Sequence, residues 1–414
     1  MKNKKLKIAI FHLAFFYSGG GERLVLEEIK GLKLKGHKVT CYSPVVYENL
    51  CFPDKIKSFG IKTILPRFPR LIAHQETLEI LLTCVLFPFF AYKFKNYDVI
   101  LAANQPSAWF AFWVKKFFQV PYVTYLAQAT RILYPRKIDK STGIWMKQKS
   151  RVLPLLVKIF KPIFWWADII SIQNSDKVLV NGDYVAGIIK KVYGVNVVSC
   201  PAGACILDKS KNNHFVGKVK INDLVIDKPY ILVTNRHFPQ KKFEYAINAI
   251  EEIVRTKHDV RLVITGNETE YTKYLKELVK KRSLEKNIFF TGYVPENMLK
   301  ELYKNATVYV YTSAEEDFGM GVIEAMAASV PVIAWNRGGP TTTIINGKTG
   351  YLIKSYDQKK FMTKIIKLLV DKKLNSSMSM KARIHVSKNF TIINHMNILE
   401  KTLTKVTKEF SKNK

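Results

Sequence analysis

Short apolar runs alternate with amphipathic stretches from one end of the chain to the other, the pattern of parallel strands wrapped by helices. Residues 7–15 read as a strand, 19–21 as a glycine turn, 22–35 as a helix and 38–42 as a second strand. Residues 98–103 and 122–126 read as buried strands around an apolar helix at 108–118, and 168–173 and 195–200 as the last strands of this series. Residues 208–227 break the pattern: they are polar, lysine-rich and weakly periodic, and predict a linker. The alternation then restarts, with strands at 230–234, 260–265, 288–291, 308–311 and 331–335. Helices fall at 243–256, 271–282, 298–305, 322–328 and 358–374, and the tail at 389–410 reads as one or two more. Two successive series predict an α/β architecture of two Rossmann-like domains, 1–207 and 228–388, with parallel sheets facing a cleft.

Length and composition fit two cores. The 414 residues exceed what one ordinary core organises, and 48% apolar with 12% aromatic residues is a globular composition. Cys41, Cys51, Cys84, Cys200 and Cys205 are odd in number without paired spacing, which favours reduced thiols over a disulfide framework or a zinc site. Lys2, Lys4, Lys5 and Lys7 ahead of the apolar run 8–16 mimic a short signal peptide. His12 interrupts that run and no small-residue cleavage site follows, so a buried first strand fits better. The other long apolar run, 80–92, is short for a bilayer crossing and holds Pro88, so no transmembrane helix is expected. A formal charge of +33 asks for polyanionic partners (phosphorylated small molecules, anionic lipid or nucleic acid) or else only solubilises the chain.

The segment richest in chemistry is Glu315-Glu316-Asp317-Phe318-Gly319-Met320-Gly321-Val322-Ile323-Glu324-Ala325-Met326-Ala327, which follows a strand, turns on glycines and opens a helix. Gly319 and Gly321 let backbone approach a ligand, and the helix start offers free N–H groups and the positive end of a dipole to an anion. Glu316 and Glu324 flank that turn. Carboxylates there are badly placed to hold phosphate and suit hydroxyls, one on a sugar and one on a ribose. Taken singly, they also read as an N-capping acid and a solvated helix glutamate. On the loop after strand 230–234, Arg236 and Lys241 place two cations able to neutralise a departing diphosphate, if they are more than solvated surface charges.

These residues resemble the Glu-x7-Glu signature of glycosyltransferase family 4, a large retaining family with the two-Rossmann GT-B fold. The resemblance continues through Pro331-Val332-Ile333-Ala334, Gly338-Gly339-Pro340 and Asn346-Gly347-Lys348-Thr349-Gly350-Tyr351-Leu352, the last matching a turn and hairpin. It includes the spacing of Arg236 and Lys241, although Asn235 and Lys242 stand where glycines are usual. It implies that Glu316 contacts donor-sugar hydroxyls near the reacting centre, that Glu324 takes the ribose, and that Phe318, Gly319, Met320 and Gly321 give backbone amides to sugar and diphosphate. It also implies that Gly20 and Gly21, in Gly19-Gly20-Gly21-Glu22, belong to a loop that closes over the diphosphate and shapes the acceptor site. Gly266, and Val294 in Gly292-Tyr293-Val294-Pro295, lie where members hold the nucleobase. Many members carry a histidine in the stretch matching 124–134; here Ala127 or Gln128 takes its place. Gln128 and Arg131 are therefore assigned to the acceptor side, where Gln128 can bond a hydroxyl but not exchange a proton. A second departure is Pro201-Ala202-Gly203-Ala204-Cys205, which in members usually ends in Asp. The tail 389–414 is implied to return to the first domain.

No DxD motif occurs and the eight histidines are scattered, so diphosphate binding is expected without a metal or other cofactor. No protein nucleophile is obvious, and retention of configuration is what the resemblance implies. Between Lys115 and Lys161 the basic residues are Lys115, Lys116, Arg131, Arg136, Lys137, Lys140, Lys147, Lys149, Arg151, Lys158 and Lys161, against one acid, Asp139. Phe117, Phe118, Trp145, Phe160, Phe164, Trp165 and Trp166 interleave, which suits an anionic membrane surface unless Trp165 and Trp166 are core. The expectation is a cytoplasmic enzyme, peripheral at the inner face of the cytoplasmic membrane. It would move a hexose from a nucleotide-diphosphate sugar to a glycan or lipid-linked acceptor in cell-envelope polysaccharide or glycoconjugate synthesis. A basic nucleic-acid-binding protein is the competing class, but it leaves Glu316 and Glu324 without a purpose and brings no RNP-type, helix-turn-helix or zinc signature. An inactive family-like partner subunit also fits the missing histidine.

Overall fold

The computed structural model describes residues 5–53, 55–66, 75–142, 152–204, 218–221, 224–227, 229–256 and 258–412. In chain order the first half carries strands β1 (Lys7–His12), β2 (Ala14–Phe15), β3 (Lys38–Ser43), β4 (Val45–Val46), β5 (Lys62–Thr63), β6 (Val99–Ala103), β7 (Tyr122–Leu126), β8 (Lys177–Val180) and β9 (Val197–Ser199). Its helices are α1 (Gly20–Leu34), α2 (Gln75–Phe90), α3 (Ser107–Phe118), α4 (Lys137–Thr142), α5 (Val152–Gln173) and α6 (Asp183–Tyr193). The second half carries β10 (Lys218–Ile221), β11 (Leu224–Asp227), β12 (Tyr230–Thr234), β13 (Arg261–Thr265), β14 (Ile288–Gly292), β15 (Val308–Tyr311), β16 (Val332–Trp335) and β17 (Gly350–Ile353). Its helices are α7 (Glu244–Arg255), α8 (Glu270–Lys281), α9 (Glu296–Asn305), α10 (Met320–Ala327), α11 (Pro340–Thr343), α12 (Gln358–Val370), α13 (Lys372–Asn389) and α14 (Ile392–Lys412).

The chain divides into two compact units, one of Met1–Pro135, Trp145–Ala202 and Ile392–Lys414, the other of Arg136–Ile144 and Gly203–Thr391. In the first, seven strands form a parallel sheet in the order β5-β3-β1-β6-β7-β8-β9. β6 and β7 are buried along their whole length, which is why they read as unbroken apolar runs and not as alternation. Phe11, Phe87, Phe94 and Phe110 fill the core beside them in edge and stacked contacts. Helix α14 belongs to this unit and is tied to it by a buried ion pair. His395 Nε2 donates to Glu28 of α1 at 3.0 Å, and its Nδ1 donates to the Pro201 carbonyl at 3.0 Å. Two acceptors on one ring require the imidazolium. Burial opposes that charge, but the Cys200 thiol and the Glu28 carboxylate outweigh it and push His395 up to about 10.

In the second unit six parallel strands run in the order β14-β13-β12-β15-β16-β17. Their inward residues pack with Ile247, Ile250 and Phe361 around Trp335, whose indole N–H donates to the Thr312 carbonyl at 2.8 Å. Both units are thus Rossmann-like, with functional loops expected at the carboxyl ends of their strands.

Several stretches differ from the sequence reading. Residues 168–173 are the last turns of α5, and the strand is β8 instead; a short apolar run cannot by itself be told from a buried helix end. The glycine turn is one step earlier, since Gly19 caps α1 while Gly20 and Gly21 form its first turn. The expected linker 208–227 ends in a hairpin, β10–β11, that buries Val219, Ile221 and Ile226. Segment Arg136–Ile144 joins the second unit, so 1–207 is not one block. The stretch at 346–352 is no hairpin: β17 extends the sheet parallel to β16 after a turn closed by Gly347 N–H on the Gly350 carbonyl. Asp371, which caps Leu374 N–H at 2.9 Å, divides the long helix at 358–374. The apolar run 80–92 sits in a helical stretch, Gln75–Phe94, of 20 residues and mean hydropathy 1.5, long and apolar enough to cross a membrane by length and composition alone. Trp145, Lys147, Lys149, Arg151 and Cys205, and the side chain of Lys158, lie outside the described residues.

Candidate active site

Three strand ends in the second unit supply the site. After β12 the chain passes through Asn235 and Arg236 into a tight turn, Pro239–Lys241, and Lys242 follows in the left-handed region at φ 53°. That is the position where the resemblance anticipates glycine; lysine adopts the same conformation at a local cost of about 1–2 kcal/mol. Gly266, after β13, lies against this loop at φ +141°, and a Cβ there would stand 1.9 Å from the Asn235 carbonyl oxygen. Only glycine fits. Arg236 is half-buried, its guanidinium 5.3 Å over the Phe238 ring.

The third strand end, after β15, carries three consecutive carboxylates, and each meets a cation. Lys241 pairs with Glu316, and Ser313 Oγ donates to the same Glu316 oxygen at 3.0 Å. Arg337 pairs with Glu315. Arg136, at the start of α4, donates to the Glu315 carbonyl and to both Asp139 oxygens (2.9 and 2.8 Å), and stands 3.9 Å from Asp317. Thr312 Oγ1 closes the arrangement by donating to the Lys241 carbonyl at 2.7 Å. Burial alone would raise Glu316, but Lys241, Arg136 and the Ser313 hydroxyl reverse that and hold it at about 2. Glu316 is therefore an ionised acceptor suited to hydroxyls. For its neighbour Asp317 burial prevails over Arg136, and the adjacent Glu316 charge pushes the same way, up to about 8.

Gly319, at φ 85°, caps α10. Gly321 in its first turn is pressed onto a hydroxyl cluster, and a Cβ would come within 2.2 Å of Tyr309 Oη. That cluster joins Thr234 Oγ1 to Tyr303 Oη and Tyr309 Oη at 2.8 Å each, and Tyr303 donates onward to Glu324 at 2.9 Å. Glu324 is thus aimed by a tyrosine of α9. Phe318 is buried against Phe390, so it offers a ligand backbone only. Gly266 N–H donates to the Gly292 carbonyl at 3.0 Å, bringing the ends of β13 and β14 together, while the Val294 side chain is buried.

Four of the assigned residues lie in the first unit. Gly20 is exposed at the start of α1, followed by Gly21, and Gly19 leaves room for the Glu22 carboxylate, which stands 4.0 Å from His12. Burial pushes His12 down to about 4, so this ring is neutral. At the end of β7, Asn104 Oδ1 accepts from Ala127 N–H at 2.9 Å. Gln128 is exposed and accepts from the buried Arg131 at 3.2 Å. Gln128 is therefore the residue of this stretch that presents an amide to solvent. Sequence reasoning missed Arg136, Glu315, Asp317, Arg337 and Tyr303; the lone acid Asp139, three residues after Arg136, was the available signal for the first.

A family profile described as "Glycosyltransferase Family 4" matches residues 18–201, and one described as "Glycosyl transferases group 1" matches residues 218–385. An alpha-1,3/1,6-mannosyltransferase ALG2 from Dictyostelium discoideum is 25% identical over 422 aligned positions, covering 94% of this chain and 95% of the relative. Among solved structures, Anabaena HepE in complex with UDP and glucose superposes with a TM-score of 0.72 at 16% identity, over 97% of this chain and all of HepE. Sucrose-phosphate synthase from Thermosynechococcus elongatus gives 0.73 at 19% identity, over 96% of this chain and 99% of the other. At such identities the two structures speak for the fold alone.

Proposed function

We propose that this chain, which belongs to the family 4 glycosyltransferases of the GT-B fold, moves a hexose from a nucleotide-diphosphate sugar to a glycan or lipid-linked acceptor in cell-envelope polysaccharide or glycoconjugate synthesis. The observation that carries the reading is the Lys241–Glu316 pair beside the start of α10, with Glu324 fixed on the same helix. Lys241 and Arg236 neutralise the diphosphate as it leaves, and the amides at Gly319, Met320 and Gly321 share its charge. No metal is needed for that task. Glu316 takes donor-sugar hydroxyls and Glu324 the ribose, and configuration is retained. Gly266 and Val294 border the base, Gly20 the diphosphate, and Gly21, Gln128 and Arg131 serve the acceptor. The named mannosyltransferase relative makes a mannosyl donor the first to try, and the UDP-bound neighbour makes uridine the first base. The enzyme works in the cytoplasm as a peripheral protein on the inner face of the cytoplasmic membrane, whose anionic lipid attracts its basic surface; nucleic acid is not its partner.

A thermal-shift panel of nucleotide-diphosphate sugars tests this. A donor at about 100 times its Kd adds about 2.7 kcal/mol of stability. The expected result is one donor class that raises the parent's melting temperature and raises those of Glu316→Gln and Lys241→Ala much less. A donor that stabilises both variants as much as the parent contradicts the site.

A further inference from the structure

Helix faces turned away from a core are ordinarily polar. Helix α2 inverts that rule. Its inward positions Thr83 and Phe87 are buried, whereas Leu78, Leu82, Val85 and Phe89, spaced as one outward stripe, are 41–75% exposed. Tyr92, in the turn that follows, continues the stripe. On α5, Ile159, Phe160, Ile163, Trp165 and Trp166 are also exposed, so Trp165 and Trp166 are not core. Trp109 of α3 joins the two helices: its indole N–H donates to the Cys84 carbonyl of α2 at 2.9 Å, and its ring lies edge-on to Trp166 at 5.8 Å. Helices α2 and α5 thus both pack on α3 and meet at Trp109. Lysines stand among them, with exposed Lys93 over the Phe90 ring at 4.6 Å, exposed Lys116 over Trp113 at 5.1 Å, and exposed Lys161 within α5. The acids of α2, Glu76 and Glu79, are confined to its first turns.

We propose that this α2–α5 face inserts into the interface of an anionic phospholipid membrane, its aliphatic and aromatic side chains among the acyl chains and its lysines on the phosphates. A second copy of the chain is disfavoured as occupant, because it would bring the same lysines and a like charge of +33. The inference rests on the membrane part of the preceding reading and not on sugar transfer. It moves the contact from electrostatic attraction to burial of named apolar groups.

The test is co-sedimentation of the full chain with vesicles of phosphatidylglycerol and phosphatidylcholine, and of phosphatidylcholine alone. It uses the parent, the double variant Val85→Asp/Phe89→Asp, and Ile384→Asp, a control at an exposed apolar site of the second unit. The parent is expected to pellet with the anionic vesicles and to remain partly bound at high salt. The double variant should lose partition at least about tenfold, with an unchanged or higher melting temperature, while Ile384→Asp behaves as the parent. A parent that stays in the supernatant overturns the proposal, as does a double variant that pellets like the parent. Equal binding to both vesicle types removes the anionic lipid. A parent dimer that the double variant disperses, without vesicle binding, assigns the face to a second copy and overturns it too. The nucleotide-sugar thermal shift on the same variants separates the two readings. Lost vesicle binding with an intact shift sinks only the membrane face, and the converse sinks only sugar transfer.

Discussion

Replacing Lys241 by alanine is expected to lower turnover by about two to three orders of magnitude, the usual cost of losing a charge aimed at a developing anion. The loss should fall on donor binding and on kcat together, because Lys241 meets a diphosphate that is already charged in the ground state and gains further charge as the glycosidic bond breaks. The side chain stands on a turn fixed from several directions, with Thr312 bonded to its carbonyl and Glu316 bonded to its ammonium. Arginine at the same position restores charge but not a point contact, and should recover only part of the rate. Steady-state kinetics with the donor found by thermal shift checks this; a Lys241→Ala enzyme within threefold of the parent, a factor of about 0.7 kcal/mol, would remove Lys241 from the chemistry.

The largest stability effect is expected at His395. Replacing it by leucine leaves the Glu28 carboxylate buried without its cation, and breaking such a pair costs about 3–5 kcal/mol. The double variant Glu28→Leu/His395→Leu should recover most of that loss, since an apolar pair needs no compensation there. A pH dependence follows. The folded pKa of about 10 lies above the ordinary 6.5, so this contribution is complete below pH 6.5 and is lost as pH rises through the window toward 10. Urea unfolding followed by tryptophan fluorescence reads it, because four of the five tryptophans among the described residues (Trp109, Trp113, Trp165 and Trp166) belong to the first unit. Parent and His395→Leu chains that lose stability equally between pH 7 and pH 9.5 would contradict the charged pair.

The two parallel sheets were legible because buried parallel strands are apolar on both faces, so runs such as Ile231–Val233 stand out whatever surrounds them. Glu316 and Glu324 were legible for a different reason: a strand, a glycine turn and a helix start confine a few residues to one place. Arg136 was not. Its partners Glu315 and Asp317 are remote in sequence, and an isolated arginine in a basic stretch looks like any other solvated charge. Residues 168–173 misled because Ile169, Ile170 and Ile172 are β-branched, and only packing shows that they end a helix. The face of α2 was hidden by its own hydrophobicity. An apolar helix reads as buried until the structure turns Val85 and Phe89 outward.

The most direct test of the diphosphate site is a crystal structure of the chain with the nucleoside diphosphate that stabilises it most. The predicted result places the diphosphate in hydrogen-bond reach of Lys241, Arg236 and the amides opening α10, with the ribose on Glu324. A nucleotide bound elsewhere, with the Lys241–Glu316 pair undisturbed and Glu324 untouched, would contradict it.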